Sequence, residues 1–234
     1  MSIQLFELGE EHAPLLVIDN FVEDPDLLVR RAAALAPFPP VEGNQYPGTR
    51  RLLYPTRDAT YDYVQQACRS VAPLLRQVWG VERFAVTEAS FSMVTRRPAF
   101  NHPVQRVPHY DSFDPADLAV LHYLSKSPKG GTGFYRHRRT GFGMLTSERH
   151  KAYVAAVEED IREFGDPPPR YVDESTPAWE KIASVEGLYN RCIIYQGAFF
   201  HSSLIPHDFD FSDDPTTGRL TGNIFLRALP AQTP

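Results

Sequence analysis

Two cysteines, Cys68 and Cys192, are all that this 234-residue chain carries. They stand far apart, one in a helical pattern and one in a strand-like pattern. A disulfide framework is therefore excluded as the basis of the fold, buried free thiols are expected, and a cytoplasmic setting is favoured. No apolar run reaches the length of a membrane span. Residues 1–8 lack the basic start and long apolar stretch of a secretory signal. The formal net charge is −5 and no basic field stands out, so neither nucleic acid nor a membrane is an expected partner. Internal repeats and low-complexity tracts are absent. Ser202 and Ser203 lack an elbow motif, which argues against serine hydrolysis.

What is present is ordinary globular material, 42% hydrophobic and 23% charged, long enough for one domain with a full core. Twenty-one prolines and 12% aromatics favour short strands with defined turns over a helical bundle. Residues 14–21 (PLLVIDNF) read as a strand. Asp24 as N-cap and Pro25 at the first helical position open a helix over 25–35. A second helix is expected over 59–79, ended by Gly80, with Pro73 inside it. From residue 84 the rhythm changes: 84–95 is β-rich with alternation in its second half, and 118–124 is a short apolar run. Strands are expected over 84–95, 118–124, 133–136, 192–196, 199–204 and 220–229, with a turn at 129–132 and a loose tail after Leu229. A helix from Thr146 or Ser147 to Phe164 interrupts the series, and a proline-rich stretch comes after it. The segment 141–189 therefore reads as a helical insertion that is a lid, a dimer contact or simple decoration. The expected fold is α+β, mainly β. One domain spans 1–234, with helical support in 1–80 and a sandwich or jelly-roll core in 84–229.

Chemistry is suggested first by His109-Tyr110-Asp111. In a strand, residues i and i+2 share a face, so both side chains can reach one ion. Alone this is weak: eight histidines in a chain with 29 acidic residues predict roughly one such pair by chance. The pair gains weight from residues further along the chain. A strand and then Gly130-Gly131 come next, a histidine (His201) stands inside an apolar strand, and Arg219 stands directly before another. Two histidines and one carboxylate on one side of a metal leave three positions open, which suits a non-haem Fe(II) oxygenase.

The pieces PHYD (108–111), YL (123–124), GGTGFY (130–135), NRCIIYQGAFFHS (190–202) and RLTGNIFL (219–226) carry a resemblance. Over about 84–229 the chain resembles the Fe(II)/2-oxoglutarate-dependent dioxygenases, particularly their prolyl-hydroxylase-like branch. The resemblance implies a double-stranded β-helix (jelly roll) with the N-terminal helices packed on one sheet. It implies Fe(II) held by His109, Asp111 and His201, 2-oxoglutarate as cosubstrate with Arg219 and Tyr123 on its distal carboxylate, and ascorbate as an optional reductant. Oxidative decarboxylation to succinate and hydroxylation of a substrate C–H would result. Guanidinium suits that carboxylate because it offers two parallel hydrogen bonds. The gap between His201 and Arg219 is longer than in many relatives, which leaves Arg227 as runner-up.

His122 alternates with Tyr123 and is expected to face away from the pocket. The run Arg136-His137-Arg138-Arg139 reads either as a solvated turn or as a surface for an acidic substrate, and Trp179 and Tyr189 as buried anchors before pocket residues. Two other readings stay open: a catalytically inactive jelly-roll metal- or ligand-binding protein, and a cupin-type metalloenzyme without 2-oxoglutarate. The substrate, a small molecule or an amino-acid or peptidyl side chain, and a homodimeric state are not decided by these residues.

Overall fold

Short strands dominate after position 84, where brief runs rich in β-branched and aromatic residues are separated by glycine, proline and polar turns. The helices form where apolar residues recur every three or four positions and a cap is at hand. The computed structural model describes residues 1–41, 46–54, 60–126 and 130–230. Its strands are β1 (Ser2–Leu8), β2 (Ala13–Asp19), β3 (Gly48–Tyr54), β4 (Phe84–Val94), β5 (Asp117–Tyr123), β6 (Gly131–His137), β7 (Trp179–Glu186), β8 (Arg191–Gln196), β9 (His201–Leu204) and β10 (Leu220–Ala228). The helices are α1 (Pro25–Ala34), α2 (Tyr61–Trp79) and α3 (Ser147–Phe164). Asp24 caps α1 by accepting the Leu27 N–H at 2.8 Å, with Pro25 in the first turn. Gly80 closes α2 in the left-handed conformation, and Pro73 lies inside that helix. The expected start of α2 at Ala59 and Lys129 of the expected turn lie outside the described residues, as does the tail from 231 onward. None of the described helices is long and apolar enough to cross a membrane.

The strands form two antiparallel sheets. The larger runs β1-β2-β8-β5-β10-β4-β3 and the smaller β7-β6-β9. Period-two alternation sorts the large sheet into two faces. Leu118 and Val120 of β5, Ile194 of β8 and Ile224 of β10 turn to α1 and α2, where they meet Leu28, Val64 and Leu75. Ala119 and Tyr123 of β5 and Ile193 and Tyr195 of β8 turn the other way, onto Phe134 of β6 and Val185 of β7 in the small sheet. Each fully buried aliphatic or aromatic side chain in these layers contributes about 1.5–3 kcal/mol.

Three strands depart from the expectation. β1 and β3 lie in the region expected to be helical support, and β7 lies inside the supposed insertion 141–189, where it pairs with β6 from Gly131↔Glu186 to His137↔Trp179. That segment therefore adds α3 and also completes the small sheet. The run 136–139 is occupied structurally: Arg136 pairs with Glu10 and Glu180, while His137 and Arg139 both bind Asp160 of α3.

His122 turns to the helix layer, fully buried between the Tyr63 hydroxyl (3.2 Å) and Asn190 Oδ1 (3.1 Å). Burial pulls its pKa from 6.5 down to about 4, against the opposing Asn190 hydrogen bond. The folded protein thus refuses a proton that the unfolded chain accepts below 6.5, so stability is full above that pH and is lost as pH falls toward 4. Burial also lowers the pKa of His137, which acts in the same sense. Urea unfolding should show a loss of about 2 kcal/mol or more between about pH 7.5 and about pH 5. The slope should be shallower in His122→Asn, and a flat profile would refute this account of His122.

Candidate metal centre

His109 and His201 are joined through their backbones. The N–H of each donates to the carbonyl of the other, at 2.9 and 2.8 Å, which adds a short antiparallel bridge to the free side of β9. The Asp111 N–H donates to the Gly197 carbonyl at 2.7 Å, so the chain from 109 to 111 stays extended along the segment that leads into β9. A Cβ at Gly197 would come within 3.2 Å of the Asp111 Cβ, so a glycine there leaves room for that close approach. Extended backbone puts His109 and Asp111 on one face, and the bridge brings His201 beside them.

One ligand atom from each of the three lies within 4.8 Å of the others. The Asp111 carboxylate is 3.8 Å from His109 Nε2 and 3.4 Å from His201 Nε2, and the two imidazole centroids are 4.3 Å apart. His201 Nδ1 lies 2.8 Å from the Phe199 carbonyl, an acceptor, so Nδ1 carries the proton and the Nε2 lone pair faces Asp111. Desolvation, then the neighbouring His201 and Arg50, lower the His109 pKa from 6.5, the same direction that favours a ligating imidazole, while its side chain stays half-exposed toward the cleft. Burial raises the Asp111 carboxyl, while His201 and Arg50 oppose the rise. Two imidazoles and a carboxylate converging from one side fit a divalent first-row cation.

The three border a cavity that reaches between the sheets, also bordered by Thr132, Tyr195 and Asn223, and His109 and Asp111 border a cleft of 710 Å³ as well. Tyr123 and Arg219 stand together behind Thr132 and do not border the cavity themselves. The Tyr123 hydroxyl is 2.6 Å from Thr132 Oγ1, and the Arg219 guanidinium carbon is 5.9 Å from the Tyr123 ring centre. Arg219 is 3% exposed and donates to the Gly131 carbonyl at 3.0 Å. Among the described residues no carboxylate pairs with it. A buried guanidinium without an anion is costly, which makes the region around it receptive to one. Burial pushes the Tyr123 hydroxyl up to about 12, with Arg219 opposing. Arg227 is differently placed: its Nε and Nη2 both donate to Asp117, at 2.8 and 2.7 Å, and its side chain is half-exposed.

Trp179 is buried against Phe200 and Tyr135, and Tyr189 donates to Asp26; neither borders the cavity. Sequence reasoning did not single out Thr132, Asn223 or Tyr195, although alternation along β6, β10 and β8 places them on the inner faces. Arg50 and Gln105, which also border the cavity, come from an unexpected strand and from a single 3-10 turn (Pro103–Arg106), both too short for periodicity to mark them.

Residues 1–226 match the model of a family of unknown function. No curated protein sequence matches the chain. Among solved structures, the chain is similar to HygX from Streptomyces hygroscopicus, solved with nickel and 2-oxoglutarate bound, at TM-score 0.51 and 14% identity over 93% of this chain and 84% of that one. It is similar to SnoN, a non-haem α-ketoglutarate-dependent epimerase from nogalamycin biosynthesis, at TM-score 0.52 and 13% identity over 91% and 78%. A prolyl hydroxylase from Trichoplax adhaerens gives TM-score 0.52 and 9% identity over 92% and 83%. At such identities the likeness is one of fold, and that fold is the one used by Fe(II)/2-oxoglutarate oxygenases.

The donor geometry predicts one divalent ion per chain. Nickel(II) should raise thermal stability by about 2.7 kcal/mol at a hundredfold excess over its Kd. His201→Ala and Asp111→Ala should lose that gain while remaining folded by circular dichroism. A gain that survives both substitutions would place the ion elsewhere.

Proposed function

The chain belongs to the family of unknown function DUF6445, and we propose that it is an Fe(II)- and 2-oxoglutarate-dependent oxygenase, with hydroxylation of a substrate C–H as its reaction. The observation that carries this reading is the pairing of two features on either side of Thr132: the His109–Asp111–His201 cluster, which borders the same cavity as Thr132, and behind Thr132 the buried Arg219 with no carboxylate partner among the described residues. A metal ion and a dicarboxylate would satisfy both. In this reading the bridge strand at His109 with β9, β6 and β7, and the inner strands of the large sheet, are the two faces of a double-stranded β-helix.

His109, Asp111 and His201 would hold Fe(II) from one side. Arg219 would hold the distal carboxylate of 2-oxoglutarate through its guanidinium, with the Tyr123 or Thr132 hydroxyl as a further donor after a small rotation. Bound together, Fe(II) and 2-oxoglutarate supply oxygen activation coupled to release of succinate and carbon dioxide. The packed inner faces around Tyr195 and Phe134 would keep bulk water from that chemistry. The presence of Asp111 argues against halogenation, which needs the carboxylate ligand to be missing. The epimerase SnoN shares this fold, so other outcomes of C–H attack are compatible with it. Free Cys68 and Cys192 favour a reducing, cytoplasmic setting.

The test is oxygen-dependent succinate formation from 2-oxoglutarate with Fe(II) and ascorbate. Asp111→Ala should abolish it. Arg219→Ala should weaken 2-oxoglutarate binding by roughly ten- to a hundredfold, the worth of a charged hydrogen-bonded pair, and iron binding far less. Arg227→Ala should leave the cosubstrate affinity nearly unchanged. Absence of succinate from metal-loaded wild-type protein would favour a binding protein that shares the fold.

A further inference from the structure

Among the described residues four side chains that border the cavity hold a buried polar atom without a hydrogen-bond partner: the Tyr46 hydroxyl, Asn223 Oδ1, and two nitrogens that can only donate. Arg50 Nε and Gln105 Nε2 are buried without a hydrogen-bond partner among the described residues, and both side chains border the cavity that His109, Asp111 and His201 border. Their orientation is fixed by other bonds. Arg50 lies over the Tyr46 ring, 4.9 Å from its centre, and its Nη1 donates to Glu88 Oε1 at 3.1 Å, which leaves the Nε edge of the fork free. Gln105 Oε1 accepts the His102 N–H at 3.0 Å, so the Nε2 end of the amide is the one left over. Buried donors left unmet cost stability, so an Arg50 and a Gln105 donor in the cavity that the ligand cluster borders mark a place for an oxyanion.

That place is separate from the Arg219 end. Across the large sheet Arg50 pairs with Ser92, Ser92 with Thr221 and Thr221 with Tyr123, so Arg50 and Tyr123 lie on one face and in one row. Three strand spacings separate their backbones by roughly 14 Å. The two side chains therefore enter the space between the sheets from opposite ends of that row. Glu88, partly exposed, borders the same cleft, so the Arg50–Glu88 pair presents positive and negative charge side by side.

We propose that Arg50 and Gln105 receive a carboxylate of the primary substrate and that Glu88 receives an ammonium group of the same molecule, so that the substrate is a small amino-acid-like zwitterion. This rests on the oxygenase reading and names the substrate class for the same site. Arg50 and Glu88 border the cleft on the open side of the ligand cluster, so a molecule held by both is presented to the metal position from the solvent side, leaving the Arg219 side to the cosubstrate.

The experiment uses the Fe(II)-loaded full chain with 2-oxoglutarate and reads succinate formation in the presence of each standard L-amino acid and of its carboxamide. At least one free acid should raise the rate by about tenfold or more, with its carboxamide needing at least about tenfold higher concentration. Arg50→Gln should raise the KM for that acid by roughly ten- to a hundredfold, with a change of less than about threefold in 2-oxoglutarate affinity. Glu88→Gln keeps the hydrogen bond to Arg50 and should raise the same KM by about three- to tenfold, which guards against a folding defect in the arginine variant. The proposal is overturned if acid and carboxamide act alike, if no amino acid raises the rate, or if Arg50→Gln weakens 2-oxoglutarate in parallel. Basal succinate formation by wild type without any amino acid reads the oxygenase assignment alone, so failure of that assignment is visible separately.

Discussion

Two backbone hydrogen bonds, exchanged between His109 and His201, hold the candidate site together. Each contributes only about 1 kcal/mol net, yet between them they decide whether two segments that are remote along the chain share a ligand cluster at all. They are dependable because their surroundings are rigid. β9 is held by β6, β6 by β7, and the Asp111 N–H is held by the Gly197 carbonyl. The side chains then fall into place: extended backbone puts His109 and Asp111 on one face, and the Phe199 carbonyl turns the His201 ring so that Nε2 points inward.

The sandwich supplies the rest through division of its faces. On β5, Leu118, Val120 and His122 serve the helix layer, while Ala119 and Tyr123 serve the space between the sheets. The same strand therefore anchors α2 and helps to shape the cavity. On β10, Leu220 and Ile224 belong to the helix side, and Arg219, Thr221 and Asn223 to the inner one. A substitution in the helix layer that shifts β5 or β10 would be felt in the cavity even though it touches nothing there.

The strands legible in the sequence were those with one face in each layer. Residues 118–124 and 192–196 are nearly continuous apolar runs because both faces of these strands are covered, and 220–229 is buried along most of its length for the same reason. β1, β3 and β7 were not legible, and each lies at an edge of its sheet. Edge strands have a neighbour on one side only, and most of β1 is exposed, so burial imposes no period on them. The candidate site divided in the same way. His109, Asp111, His201, Tyr123 and Arg219 could be named because spacing and resemblance marked them. Arg50 could not, since nothing in GTRRLLY says that an arginine will lie two strands from β10 with its guanidinium over a tyrosine. The choice between Arg219 and Arg227 also needed three dimensions, because it turns on which of them already has a carboxylate.

That Arg50 sits on an edge strand has a consequence for descent. The ligand cluster and Arg219 are locked into strands with neighbours on both sides or into the bridge to β9, where a change of register would dismantle several partners at once. β3 answers to β4 alone among the strands. A lineage could replace, lengthen or re-register it and meet a new molecule at the mouth of the cleft, while the inner strands keep their arrangement. Relatives of this chain would then diverge in what they accept sooner than in what they do to it.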